Sequence, residues 1–174
     1  MTTFKEIWLS VANMPENPIP RELVPHLKLD FYYGAGMLIQ ILNQLGQSAN
    51  KEGALLAVIE KELQDQVKSG LYNSSAPVYQ CWLQWKSSKR DCPTCVSARA
   101  SGDTAEHDVD HRSLFFSGFG FAFIELSNLV GTEEPTSDQR EVQAHRLASL
   151  NQEIHAFLSF SHVSPPNPPS FPRN

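Results

Sequence analysis

The sequence predicts an all-α fold, a helical bundle of about five to six helices. Three observations carry that expectation: apolar residues recur at helical spacing along most of the chain, proline and glycine clusters separate those stretches, and no segment sustains the alternation of a strand. With 174 residues, the chain has one domain's worth of sequence and can bury roughly 70% of the surface its open form exposes.

The elements follow in order. Thr3 with Glu6 makes a capping box, and Phe4, Ile7, Trp8 and Val11 form a stripe, so a first helix is predicted over about 3–13. NMPENPIP ends it, and Pro25 predicts a restart near 26. Phe31, Gly34, Ala35, Leu38, Leu42 and Leu45 share one face of the second helix, which Gly46 stops. A third helix is predicted from about Asn50 to Lys68 on the stripe Leu56, Ile59, Leu63 and Val67, with Gly70 past its end. Val78, Cys81, Trp82 and Trp85 predict a short helix that breaks at DCPTC. Asp103 or Thr104 can cap a long helix reaching about Val130, and Thr136 or Ser137 a last one carrying Val142, Leu147, Leu150, Ile154 and Leu158. The domain is expected to run over 1–162, with hairpins at about 26–69 and 104–160, and a proline-rich tail to occupy 163–174.

Composition excludes some classes. At 41% hydrophobic residues and a net charge of -5, the chain is neither disordered nor globally basic. MTTFKEIWLS lacks a charged leader and a long apolar core, which predicts a cytoplasmic protein. The most apolar run, LFFSGFGFAFIELSNLV, is slightly short for a bilayer and contains Glu125, so it reads as a buried helix and no membrane partner is expected. Three cysteines, an odd count, argue for reduced thiols or a metal site rather than a disulfide framework.

FYYGAG at 31–36 is echoed by FFSGFG at 115–120. A shift of 84 positions lays Phe31, Gly34, Gly36, Leu42 and Leu45 on Phe115, Gly118, Gly120, Leu126 and Leu129. A further shift lays Leu56, Ile59, Leu63 and Val67 on Leu147, Leu150, Ile154 and Leu158. This pattern reads as one hairpin written twice, although two amphipathic helices can also match by chance. Each interior helical glycine costs about 0.5 to 1 kcal/mol relative to alanine, so close backbone approach is the expected compensation. FYYGAG lacks the third glycine and the strand-turn-helix setting of a dinucleotide loop.

Chemistry is concentrated in CPTCVSARASGDTAEHDVDH. Cys92 and Cys95 flank a proline turn, and His107 and His111 lie one helical turn apart, which is close to zinc-finger ligand spacing. One structural zinc ion held by these four residues is the predicted cofactor; free thiols and solvated histidines are the alternative. HDVDH also reads as H-D-x-x-H, a shortened relative of the metalloprotease helix, giving a metal-dependent hydrolase as a third reading. No nucleophile elbow is present, and no catalytic residue is assigned. Lys86, Lys89, Arg90, Arg99 and Arg112 surround the cysteine stretch beside Trp82 and Trp85. Trp82, Trp85, Lys86, Lys89 and Arg90 are therefore the predicted partner-binding residues, able to meet a protein or ribonucleoprotein complex, or nucleic acid through a local basic patch. A solvated helix end explains the same charges.

The F-x-x-G-A-G-x-L pattern in LDFYYGAGMLIQIL, with its FFSGFG echo, resembles a helix opening of small all-helical accessory proteins of phages and plasmids. The resemblance implies a compact non-enzymatic protein that acts by binding a macromolecular machine, counter-defence inhibitors of the anti-CRISPR kind being one such class. A zinc-containing nucleic-acid-associated factor is the alternative.

Overall fold

The computed structural model describes residues 3–14, 19–45, 52–88, 104–127 and 136–164, together with 96, 100, 166, 167 and 169. These residues form six α-helices, and no strand occurs among them, as the apolar periodicity predicts: α1 (Phe4–Ala12), α2 (Val24–Leu45), α3 (Glu52–Ser69), α4 (Pro77–Ser88), α5 (Thr104–Ser127) and α6 (Ser137–Phe160).

Local chemistry sets several of the ends. Thr3 and Glu6 form the predicted capping box, with the Glu6 N–H donating to Thr3 Oγ1 (3.2 Å) and the Thr3 N–H to Glu6 Oε2 (2.7 Å). Those bonds hold the Glu6 carboxyl below its usual range. Thr136 and Gln139 repeat the device at α6. Gly70 stops α3 with φ at 67°, a conformation that favours glycine. Pro25 sits inside α2 rather than before it, because the first turn has no use for the N–H that proline lacks.

The closest packing among the described residues is α2 across α5, and the glycines make it. A Cβ added at Gly34 would overlap the Phe115 carbonyl oxygen and lie 3.0 Å from its carbon. One added at Gly118 would overlap the Phe31 carbonyl oxygen and lie 2.6 Å from its carbon. The contact is reciprocal: each glycine receives the carbonyl of the phenylalanine three positions before its counterpart. Phe31, Phe115 and Phe119 are fully buried around the crossing. Trp8 meets Phe31 with ring centroids 5.4 Å apart at 55°, and Trp82 meets Phe115 at 5.6 Å and 58°.

Packing of the outer helices departs from two closed hairpins. Rather than closing on its own first helix, α6 lies on α2, where Ile154 Cγ2 and Leu158 Cδ1 stand 3.2 and 3.5 Å from a Cβ at Gly36. α3 packs on α4 and brings Leu63 toward Gly120 of α5. The carbonyl-to-glycine approach draws α2 and α5 together so tightly that each second helix finds its apolar partner on the other half.

Two carboxylates lock this exchange. Glu153 of α6 accepts from the backbone N–H groups of Phe4 (3.1 Å) and Lys5 (2.7 Å), at the start of α1. Glu62 of α3 accepts from those of Val78 (2.7 Å) and Tyr79 (2.8 Å), at the start of α4. The shift that lays Leu63 on Ile154 also lays Glu62 on Glu153. Each therefore satisfies orphan donors of a helix in the opposite half, where the helix dipole favours negative charge. Glu62 is nearly buried, and burial pushes its carboxyl above the usual range, partly offset by the bonds from Val78 and Tyr79. Glu125, the charge inside the apolar run, pairs with Arg146 of α6. No helix among the described residues is long and apolar enough to cross a membrane.

Candidate functional site

Two features have the chemistry of a site. The first is a buried polar cluster joining α2, α4 and α5. Asp30 is 1% exposed and His111 3% exposed. Trp85 Nε1–H donates to Asp30 Oδ1 at 2.7 Å, and His111 Nδ1 bonds Asp30 Oδ2. Asp30 thus joins α4 to α5 through one carboxyl group and holds the imidazole ring of His111 in one orientation. Burying these groups is tolerable because each finds a partner.

Sequence reasoning placed His111 in a metal set, and the structure gives it this acid partner. Cys92 and Cys95 lie outside the described residues; His107 lies on α5, one turn before His111, with its side chain outside them. Among the described residues no three His, Cys, Asp or Glu side chains cluster for a metal. Asp30 was missed as a site residue, although a signal was present: in LKLDFYYG it falls on the stripe of Leu27, Phe31 and Gly34, where an acid must be paired to be buried. Cys81 is a buried free thiol, raised well above the usual thiol range first by burial and then by Glu62. It is a core residue, as its stripe predicts.

Two residues of the predicted partner surface are core instead. Trp82 and Trp85 are 1% and 3% exposed, so neither ring offers a stacking face to solvent. Trp85 instead stacks on Tyr33 at 3.8 Å and bonds Asp30. The physical reason is the apolar stripe they share with Val78 and Cys81, which α4 turns onto α2 and α5. Lys86 is exposed at the end of α4, while Lys89 and Arg90 lie outside the described residues. Arg112, placed by sequence in the basic patch, lays its guanidinium 4.0 Å from the Tyr72 ring centre. Lys28, its counterpart on α2, lies 4.8 Å from that of Phe157. Lys28 is lowered first by burial and then by Lys5 nearby.

The second feature is a groove of about 430 Å³ between α3 and α5. Leu63 and Val67 form one wall, and Phe116, Gly120, Phe121 and Ile124 the other. Val67 is 80% exposed and Ile124 54% exposed. Glu60 and Lys68 stand on α3 at the margins, eight residues apart, which is about 12 Å along a helix. The volume falls in the range of small-ligand and peptide-sized pockets.

No protein-family description, curated protein or solved structure matches the chain.

Proposed function

We propose that the chain is a non-catalytic binding module that acts by docking on a protein or ribonucleoprotein complex, as a mobile-element accessory protein of the counter-defence, anti-CRISPR-like kind. The observation that supports docking is the apolar groove between α3 and α5, with Val67 and Ile124 at its edge. Exposed apolar side chains beside a concave surface are the feature that desolvation rewards on association. The counter-defence element rests on the FYYGAG and FFSGFG resemblance. The test is DNA cleavage by purified CRISPR effector complexes with the chain added. Inhibition that Val67→Glu with Ile124→Glu relieves at least about tenfold, with unchanged helical content, supports the reading. Cleavage unaffected across effector types overturns the counter-defence element.

A second reading, a structural zinc in a nucleic-acid-associated factor, is favoured by one contact. A carboxylate on Nδ1 is the outer partner that metal-ligating histidines commonly have. Cys92, Cys95 and His107 would complete the set, and a fourfold protein shell supplies structure rather than hydrolysis, which places the metal-dependent hydrolase third. Metal analysis of protein purified without added zinc gives about one equivalent on this reading, and Asp30→Asn weakens retention about 10- to 100-fold. Less than about a tenth of an equivalent in the unaltered chain overturns it.

A further inference from the structure

The structure points to an occupant for the groove: we infer that it binds an extended, uncharged, proline-containing segment of a partner protein. This rests on the docking reading above and names its ligand. The two shifts that align the halves place Gly36, Ile154 and Leu158 on Gly120, Leu63 and Val67. The reciprocal glycine crossing and the paired Glu62 and Glu153 caps are the contacts that support carrying this alignment into space. The same three-sided apolar slot thus occurs twice. At Gly36 a fourth component fills it: Pro166, from the tail, lies with Cγ 3.1 Å from where a Cβ would stand. At Gly120 a Cβ would meet Leu63 Cδ2 alone, at 3.9 Å. Leu158 is 1% exposed, and its counterpart Val67 80%.

The chain therefore displays what fits such a slot. Pro166 follows the left-handed turn at His162 (φ 55°), and the backbone carbonyl of Asn167, the next residue, accepts from the Gln84 side chain of α4. Proline needs no partner for an N–H, so it enters an apolar slot without leaving a donor unpaired. Phe116 and Phe121 add aromatic walls, the kind of lining on which a preformed polyproline segment docks at low entropic cost. The lining between Glu60 and Lys68 carries no charge, so the seated part is uncharged. A basic flank suits the Glu60 end and an acidic flank the Lys68 end, which sets the direction of the bound segment.

The probe is a fluorescent peptide of this chain's own residues 161–171, SHVSPPNPPSF, titrated with the full-length protein, beside the same peptide with its prolines replaced by alanine. Expected are saturable binding, a loss of about tenfold or more in Val67→Glu and in Ile124→Glu, and a comparable loss for the alanine peptide. Both substituted positions are exposed, so their folds are checked by unchanged thermal unfolding. Equal affinity for the variants overturns the inference, because the peptide is then exchanging with the tail at Gly36 or binding elsewhere. Absence of saturation at millimolar protein overturns it too, as does a dimer that Val67→Glu dissolves, which makes a second copy the occupant. A chain that fails with the peptide yet still inhibits an effector through Val67 and Ile124 loses this inference alone; one that binds the peptide but inhibits no effector loses only the counter-defence element.

Discussion

The inner glycines, Gly34 and Gly118, live in matching surroundings, whereas the outer glycines, Gly36 and Gly120, do not. The difference shows what a sequence pattern can settle by itself. A backbone-to-backbone approach needs only the two helices that carry it, so two similar helices produce it reciprocally. A filled side-chain slot needs a further segment to arrive, and Pro166 arrives on one side only. The same apolar residues make core at Gly36 and an accessible groove at Gly120.

The comparison is broken most directly at the crossing. Gly118→Ala forces a methyl group onto the Phe31 carbonyl and should destabilise by about 4 kcal/mol, with Gly34→Ala close behind, read by urea unfolding. A cost below about 1 kcal/mol for either would show that the helices part easily and that the reciprocal contact is dispensable.

The paired caps sharpen it at a smaller scale. Glu62→Ala should cost about 2 kcal/mol and Glu153→Ala about 1, because the Glu62 cap is the more buried and its bonds the shorter pair overall. Equal losses would show that burial does not distinguish the halves here. The raised Glu62 carboxyl adds a pH signature. Its folded-state value lies above its unfolded one, so its titration contributes stability fully below about pH 4.5, and that contribution is lost as pH rises through the folded value. Glu62→Gln should remove this component, seen as a flatter dependence of the urea midpoint on pH above about 4.5.

The smallest effect, and the one of opposite sign, belongs to the groove. Gly120→Ala meets only ordinary contact and should stabilise by about 0.5 to 1 kcal/mol through helix propensity. Gly36→Ala must displace the ends of Pro166 and Ile154 by a few tenths of an ångström, so its gain should be cancelled or reversed. Calorimetric melting of the pair decides it: equal stabilisation would mean that the Pro166 slot is as accommodating as the groove.

How much was legible follows the same division. The Thr3 capping box and the glycine stripe depend on residues close in sequence and appear as read, and of the two caps offered for the last helix, Thr136 or Ser137, the structure uses Thr136. The misplacement of Trp82 and Trp85 came from weighing their neighbours along the chain, Lys86 and Lys89, over their helical stripe with Val78 and Cys81. Asp30 carried its signal on the apolar stripe, but its partners stand 55 and 81 residues away on other helices, beyond any local pattern. The groove was illegible for a sharper reason. Val67 and Leu158 occupy the same place in their stripes, yet Leu158 is buried where α6 packs on α2 beside Pro166, while Val67 stays in solvent.

The crossed carboxylate caps also bear on how the chain acquires its structure. The bond from the Phe4 N–H to Glu153 closes a separation of 149 residues. Emerging from a ribosome, α1 must wait for almost the whole chain before its first turn gains that acceptor, and α4 cannot secure its own start without α3. Neither half is therefore a self-sufficient folding unit. Unfolding should be one cooperative event, and a nick in the exposed connection at 73–75 should give two fragments that remain associated and depend on each other for their helix ends.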